Sequence, residues 1–368
     1  MRAALFAHRF AAATPTGVGR YSVELAAALR HQPGLDLVLS SAAEHGPLPS
    51  VLHGLPVAHL AGPRPVALAR WLLFGAPVIE GTTGPVDVVH QLAPFVPVPT
   101  RAPLVATVHD LMPIEHPTWY SRVERAGYKR GLAAVMRRAT RVIVDASRVA
   151  DAVVDRYGFD RERITVIPAG VSDAFRRRWN RAEQEHVCRR YGVVPGRFVI
   201  AVGAMDVRKN LGVLVAAARG LDVTVLLAGA KGEGWPAVEE AMQGGGPLRV
   251  RAPGYVADDD LPALVASARA LAHPSLDEGF GLPPLEAMAA GTPVVLARAG
   301  ALPEVAGDAA LWVDPHDQVG WRDALERVVG DDALHAELSA AGRRHAEQFT
   351  WERTAAATAQ VYRDASRA

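Results

Sequence analysis

The stretch Leu276–Val295 reads LDEGFGLPPLEAMAAGTPVV, and in it two carboxylates, Glu278 and Glu286, are separated by seven residues. Between them stand Gly279, Phe280, Gly281, Leu282 and a Pro-Pro pair. Glycines let a backbone come close to a ligand. Their N–H groups, with the positive end of a following helix, make an anion site. Pro283 and Pro284 suit a first helical turn, where a missing N–H costs nothing. Ala287 to Ala290 propagate the helix and Gly291 ends it, which predicts Glu286 in its first turn. A carboxylate repels phosphate but accepts hydrogen bonds from hydroxyls. A nucleotide sugar carries hydroxyls on both sides of its diphosphate, hexose on one side and ribose on the other. The pattern therefore predicts phosphates on Gly279–Leu282, Glu278 at the hexose and Glu286 at the ribose. Either glutamate alone reads more readily as an acid decorating a helix start; the complete pattern points to the ligand.

Other residues able to do chemistry fall just after apolar runs. Arg208 and Lys209, in DVRKN, follow RFVIAVGAM. They can bind a diphosphate and stabilise charge on a leaving group, or be a surface pair at a helix start. Tyr255 and Val256 follow Gly254 at the end of LRVRAPG. His109 and Asp110 end LVATVHD, and Gly17 lies in TGVGRY ahead of the first helical pattern. The last stretch fails as a G-x-G-x-x-G fingerprint because position 22 is serine and the preceding strand ends about nine residues earlier. No Cys/His cluster has metal-ligand spacing, so neither metal nor cofactor is expected.

The elements that must position these residues alternate. AALFA, LDLVLS, VDVVHQ, PLVATV, RVIV and ITVI read as strands in the first half, with helices at 20–32, about 119–139 and 150–158. FVIAVGAM, VTVLLAG, LRVRA, ALAH and PVVLA repeat the logic in the second half. Continuous apolar strands between helices predict parallel sheets covered on both faces, and two such series predict an α/β chain of two doubly wound, Rossmann-like domains. Ligands of such sheets bind beyond the C-terminal strand ends, so a cleft between the two sets of ends is the expected site. The charged stretch SDAFRRRWNRAEQEHVCRR marks the boundary. The expected division is 1–178, 179–349 and a C-terminal helix over 350–368 returning towards the first domain.

At this point the chain resembles the retaining family-4 glycosyltransferases of the GT-B fold. The resemblance rests on EGFGLPPLEAMAAGTPVV and its two spaced glutamates. It extends through TGVGRYSVELAAAL, TVHDLMPIEHP, VTVIPAGVSDAF, AVGAMDVRKNLGVLVAA, GALPEVAGDAALWVDPHD and FTWERTAAATAQVY, leaving about 45–100 individual. The nearest flavour is the bacterial mannosyltransferase of polysaccharide and glycolipid assembly. The resemblance implies transfer of a hexose, mannose from GDP-mannose, to a hydroxyl acceptor with retention, without a metal. It implies that His109 faces the reacting sugar, that Asp110 orients it or meets the acceptor, and that Gly17 approaches the donor diphosphate. Relatives often carry a glycine where Thr16 stands and an arginine where Ala204 stands, so Arg208 is expected to compensate.

Alternatives are a UDP-sugar-dependent transferase of the same fold, a non-catalytic nucleotide-sugar-binding protein, and a glycoside hydrolase using the two glutamates. A hydrolase needs neither the cations nor the glycine loop. The single cysteine, Cys188, excludes a disulfide within the chain and favours a reducing, cytoplasmic setting. No apolar run approaches a membrane span. Residues 1–180 carry 21 Lys and Arg against 14 Asp and Glu, while 181–368 carry 19 against 25. The basic half favours an anionic partner. Arg122, Arg125, Lys129 and Arg130, set among Tyr120, Val123, Leu132 and Val135, suggest an anionic membrane surface at a glycolipid acceptor, or an ordinary helix with a basic face. Glycan and small-molecule acceptors remain open, and nothing points to nucleic acid.

Overall fold

The computed structural model describes residues 1–7, 10, 17–41, 48–59, 66, 70–71, 74–94 and 97–367. Thr16 and most of the turn-rich loop expected before the first helix lie outside them. The chain divides into two compact units, Met1–Gly170 with Thr350–Ala368, and Val171–Phe349. The division thus falls after Gly170 rather than after 178. Val171 N–H donates to Phe349 O at 3.0 Å, which ties the start of this stretch to the second unit.

In the first unit, β1 (Arg2–Ala7), β2 (Asp36–Ser41), β3 (Val57–His59), β4 (Val88–Gln91), β5 (Leu104–Val108), β6 (Arg141–Val144) and β7 (Ile164–Val166) form one parallel sheet in the order β3-β2-β1-β4-β5-β6-β7. The central strands β4 and β5 are buried along their whole length. Burial on both faces is why β5 reads as a mainly apolar run rather than an alternating one, while β4 also buries His90 and Gln91. The helix Trp351–Ala365 belongs to this unit. Its Tyr362 hydroxyl lies 2.6 Å from His90 Nδ1, and Thr354 Oγ1 donates to Pro168 O at 2.8 Å. Gly170 makes this docking possible, since a Cβ there would stand 2.3 Å from Trp351 N.

In the second unit, β8 (Phe198–Val202), β9 (Thr224–Ala228), β10 (Arg249–Gly254), β11 (Ala270–His273), β12 (Val294–Ala297) and β13 (Leu311–Val313) form a parallel sheet in the order β10-β9-β8-β11-β12-β13. The edge strand β10 alternates exposed and half-buried residues, carries Pro253 and slips register between Arg251 and Gly254. These are features an edge tolerates and a centre does not. Trp321, from the helix Gln318–Gly330, is fully buried against Leu214, Val225 and Leu325. In both sheets the strand order reverses direction beside the first strand, between β1 and β4 and between β8 and β11. Such a switch point opens a crevice at the carboxyl ends of its strands.

Candidate active site

At the switch point of the second sheet, β8 leads into Gly203 and β11 ends in His273. A small hollow of about 10 Å³ lies there, lined among others by Gly203, Lys209, His273 and Ser275. That is room for a single water. Lys209 reaches the hollow from the turn Val207–Lys209, and its Cε would be 3.2 Å from a Cβ at Gly203, whose φ is +127°. One oxygen collects the polar groups of the site. Glu278 Oε1 accepts from Lys209 Nζ at 2.7 Å, Ser275 Oγ at 2.8 Å and His273 Nε2 at 2.9 Å, and Arg208 Nη1 is paired with it at 2.6 Å.

Burial disfavours a charged Glu278, but Lys209 and Arg208 outweigh it and hold the carboxyl well below the usual carboxylate range. Burial, followed by the charge of Lys209, pushes His273 down to about 4. Its ring is therefore neutral at pH 7, and the proton sits on Nε2, the nitrogen that faces Oε1. Burial also draws Lys209 below its usual value, opposed by Glu278. The cluster combines two cations with one carboxylate and so presents a net positive charge to an incoming anion.

Backbone bonds fix the two loops against each other. Leu276 N–H donates to Arg208 O at 2.8 Å, and Ala301 N–H donates to Glu278 O at 2.8 Å. Gly300 sits beneath this loop at φ +55°, and a Cβ there would lie 2.4 Å from Glu278 N. After Glu278 the chain turns through Gly279–Gly281 into the helix Leu282–Ala290, which Gly291 ends in a left-handed cap. Pro283 and Pro284 have no N–H, so donors for an anion here come from Gly279, Phe280, Gly281 and Leu282.

In the first unit, His109 follows β5 and Asp145 follows β6. The parallel register pairs Val108 with Val144, which sets the next residues side by side. Asp145 Oδ2 lies 2.6 Å from His109 Nδ1, and Leu92 O lies 3.1 Å from Nε2. Both partners only accept, so a ring protonated on both nitrogens is what satisfies them together. Burial opposes that charge, but Asp145 overrides it and raises the His109 pKa above its usual value. The edge of the His109 ring meets buried Tyr21, with centroids 4.6 Å apart. Asp110 Oδ1 accepts from Met112 N–H at 3.1 Å.

Comparison with known proteins now bears on this geometry. The description "Glycosyltransferase Family 4" fits residues 15–175, and "Glycosyl transferases group 1" fits residues 193–345. The O-antigen chain mannosyltransferase B of Escherichia coli is 30% identical over 269 residues, 70% of each chain. The chain is a family-4 glycosyltransferase. The MMP alpha-(1->4)-mannosyltransferase of Mycolicibacterium hassiacum is 31% identical over 324 residues, 80% of this chain and 74% of that protein. The D-inositol 3-phosphate glycosyltransferase of Salinispora tropica is 34% identical over 285 residues, 72% of this chain but 59% of that protein. HepE of Anabaena, solved with UDP-glucose, shares the fold with a TM-score of 0.76, 22% identity and coverage of 98% of this chain and 99% of that one.

Within this glycosyltransferase the expected residues are distributed as follows. Gly17, His109 and Asp110 belong to the first unit, and the others to the second. The structure brings Arg208, Lys209 and Glu278 together. His273, Ser275 and Asp145 complete the two clusters and were absent from the sequence reading. Gly17 opens the helix Gly17–Leu29, and a Cβ there would meet nothing described within 4 Å, so packing does not demand its glycine. Tyr255 is 39% exposed, whereas Val256 and Phe280 are buried and can offer a ligand only their backbone. Leu282 begins its helix.

Two expectations are corrected. Glu286 is the fifth residue of the helix Leu282–Ala290 and lies in its second turn, because the helix starts at Leu282 with Pro283 already inside it. Glu278, expected at the hexose hydroxyls, has its Oε1 occupied by four protein groups. The basic helix spans Arg122–Arg138, capped by Ser121 and Glu124, and Val123, expected on its apolar side, is 83% exposed. Among the described residues no group of three or more His, Cys, Asp or Glu could hold a metal, and no helix is long and apolar enough to cross a membrane.

Proposed function

We propose that this enzyme transfers mannose from GDP-mannose to a hydroxyl acceptor with retention of configuration. One observation carries the donor reading: the buried Lys209–Arg208–Glu278 cluster stands at a switch point and leads directly into the Gly279–Gly281 turn. The glycine turn and the two cations meet the diphosphate. Oε2 of Glu278 is left to accept from a hexose hydroxyl, and Glu286 accepts from the ribose. As the bond to the anomeric carbon breaks, negative charge grows on the diphosphate. Arg208, Lys209 and the loop amides stabilise it where it develops. The departing phosphate takes the acceptor proton on the same face, so retention needs no enzyme base. His109, as a cation, cannot serve as that base. It sets the electrostatics of the first unit's strand ends, and Asp110 is assigned to the acceptor side.

Two mannosyltransferases among the relatives support mannose. UDP-glucose in HepE supports the second reading, a UDP-sugar donor. The acceptor is a glycan, a glycolipid or a small alcohol, the setting is cytoplasmic, and the diphosphate charge is met by protein cations without a metal. The test is thermal shift across GDP-, UDP-, ADP- and TDP-sugars with EDTA present. A cognate donor at a hundred times its Kd should stabilise the fold by about 2.7 kcal/mol. A shift with a UDP-sugar and none with GDP-mannose selects the second reading. Binding without nucleotide release in the presence of any alcohol would leave a binding protein rather than a transferase.

A further inference from the structure

A second hollow, of about 540 Å³, opens in the first unit, its lining beginning at Pro113, four residues after His109. Arg122, Arg125 and Lys129 line it from one face of the helix Arg122–Arg138, and Arg156 lines it from the last turn of the helix Ser147–Tyr157. Spacings of three and four along a helix put such residues on one stripe. Pro113 and Ile114 supply apolar lining. No carboxylate is among the lining residues. Two of the acids nearest in sequence are engaged elsewhere, while Asp155, beside Arg156, is exposed and outside the lining. Glu124 Oε2 accepts from Ser121 N–H at 2.9 Å as a helix cap, and Glu115 pairs with Arg148 at 3.7 Å.

Four cations collected around one concavity repel each other unless an anion joins them. The membrane row expected from the sequence included Arg130, yet Arg130 is not in the lining, whereas Arg156 enters from a different helix. The charge is thus gathered around a hollow rather than spread along a plane. Its size lies within the roughly 300–1,000 Å³ of small-molecule sites, far more than one phosphate needs. Guanidinium forks match phosphate oxygens in pairs, and the apolar lining suits a carbon skeleton. We propose that this hollow is a ligand site for a small organophosphate, independent of the donor assignment in the second unit.

The test is titration calorimetry with two probes, glucose 6-phosphate and inorganic pyrophosphate, in protein already saturated with the nucleoside diphosphate that binds it best. The variants are Arg125→Gln/Lys129→Gln and, separately, Arg156→Gln; Lys129 and Arg156 are exposed and Arg125 half-buried, and folding is checked by unchanged nucleoside diphosphate affinity. The expected result is binding of at least one probe that weakens with added salt and falls at least tenfold in each variant. Sedimentation with vesicles containing phosphatidylglycerol forms the second arm. Probe binding equal in wild type and variants overturns the proposal. So does vesicle binding that the variants abolish with neither probe bound, which would make the patch a membrane contact.

Discussion

Asp145 Oδ2 stands 2.6 Å from His109 Nδ1, in a pocket where the other ring nitrogen faces the carbonyl of Leu92. An imidazole between two acceptors is a cation, and its carboxylate is what keeps it one. Neighbouring His90 shows the converse. Its nitrogens face the hydroxyls of Tyr362 and Thr107, which can both donate and accept. Burial, followed by the charge of His109, pushes it down to about 3.

The first prediction concerns this pair. His109 should titrate above 6.5 by NMR, and Asp145→Asn should bring that value down. Because the folded pKa is raised, the stability this pair contributes is fully present below the unfolded value. It is lost as pH rises through the folded one. Turnover of Asp145→Asn should fall while nucleoside diphosphate affinity is unchanged. A wild-type His109 titrating below 6.5 would contradict the imidazolium.

The second prediction concerns Lys209 and Glu278. Removing one partner of a buried ion pair leaves the other uncompensated, at a cost of about 3–5 kcal/mol. Lys209→Met and Glu278→Gln should each destabilise strongly, and the double variant should lose less than the sum. The folded pKa of Glu278 is depressed, so its contribution is present above the unfolded value of about 4.3 and disappears as pH falls towards the folded value. Denaturant unfolding at pH 7 and at pH 3 reads both effects. Simple additivity in the double variant would show that the two groups do not share one interaction.

A third prediction separates the two glutamates. Glu286→Gln should weaken the nucleoside diphosphate and the intact donor by the same factor, roughly tenfold to a hundredfold for a lost charged hydrogen bond. Glu278→Gln should reduce turnover more than it reduces nucleoside diphosphate binding. Calorimetry with both ligands decides, and loss of only the intact donor in Glu286→Gln would reverse the assignment.

What was legible in the sequence follows from burial. β5, β8 and β12 are covered on both faces, and their apolar runs announced them. β13, Leu311–Val313, has three residues, too few to show a period. The Glu-Gly-Phe-Gly-Leu-Pro-Pro pattern revealed Glu278 because local spacing carries it. Its partners were hidden because a turn, not a repeat, brings His273 and Ser275 back onto Oε1. Asp145 was hidden by distance along the chain, although a signal existed. His109 and Asp145 are both polar residues directly following apolar strands, and adjacent parallel strands put such residues side by side. The turn of Glu286 was misjudged because two prolines suggest a helix start without fixing which residue opens it.

The last prediction concerns Gly300, which touches no ligand in the proposed scheme. Its φ of +55° lies in the left-handed region, where a side chain costs roughly 1–2 kcal/mol. The space is closed as well: a Cβ would stand 2.3 Å from Asp277 Oδ1, 2.4 Å from Glu278 N and 2.5 Å from Glu278 O. Two of these atoms are backbone and cannot swing aside, so Gly300→Ala must displace the segment that carries Glu278. That movement lengthens the bond from Ala301 N–H to Glu278 O and pulls Oε1 away from Lys209, Arg208, His273 and Ser275. The expected outcome is a lower Tm and at least tenfold weaker nucleoside diphosphate binding. Gly330→Ala is the control. It ends the helix Gln318–Gly330, where nothing lies within 4 Å of an added Cβ and φ is not positive. Replacing a helical glycine by alanine there should stabilise by about 0.5–1 kcal/mol with binding unchanged. Equal nucleoside diphosphate affinity in Gly300→Ala and wild type would mean that the position of the Glu278 segment does not govern donor binding.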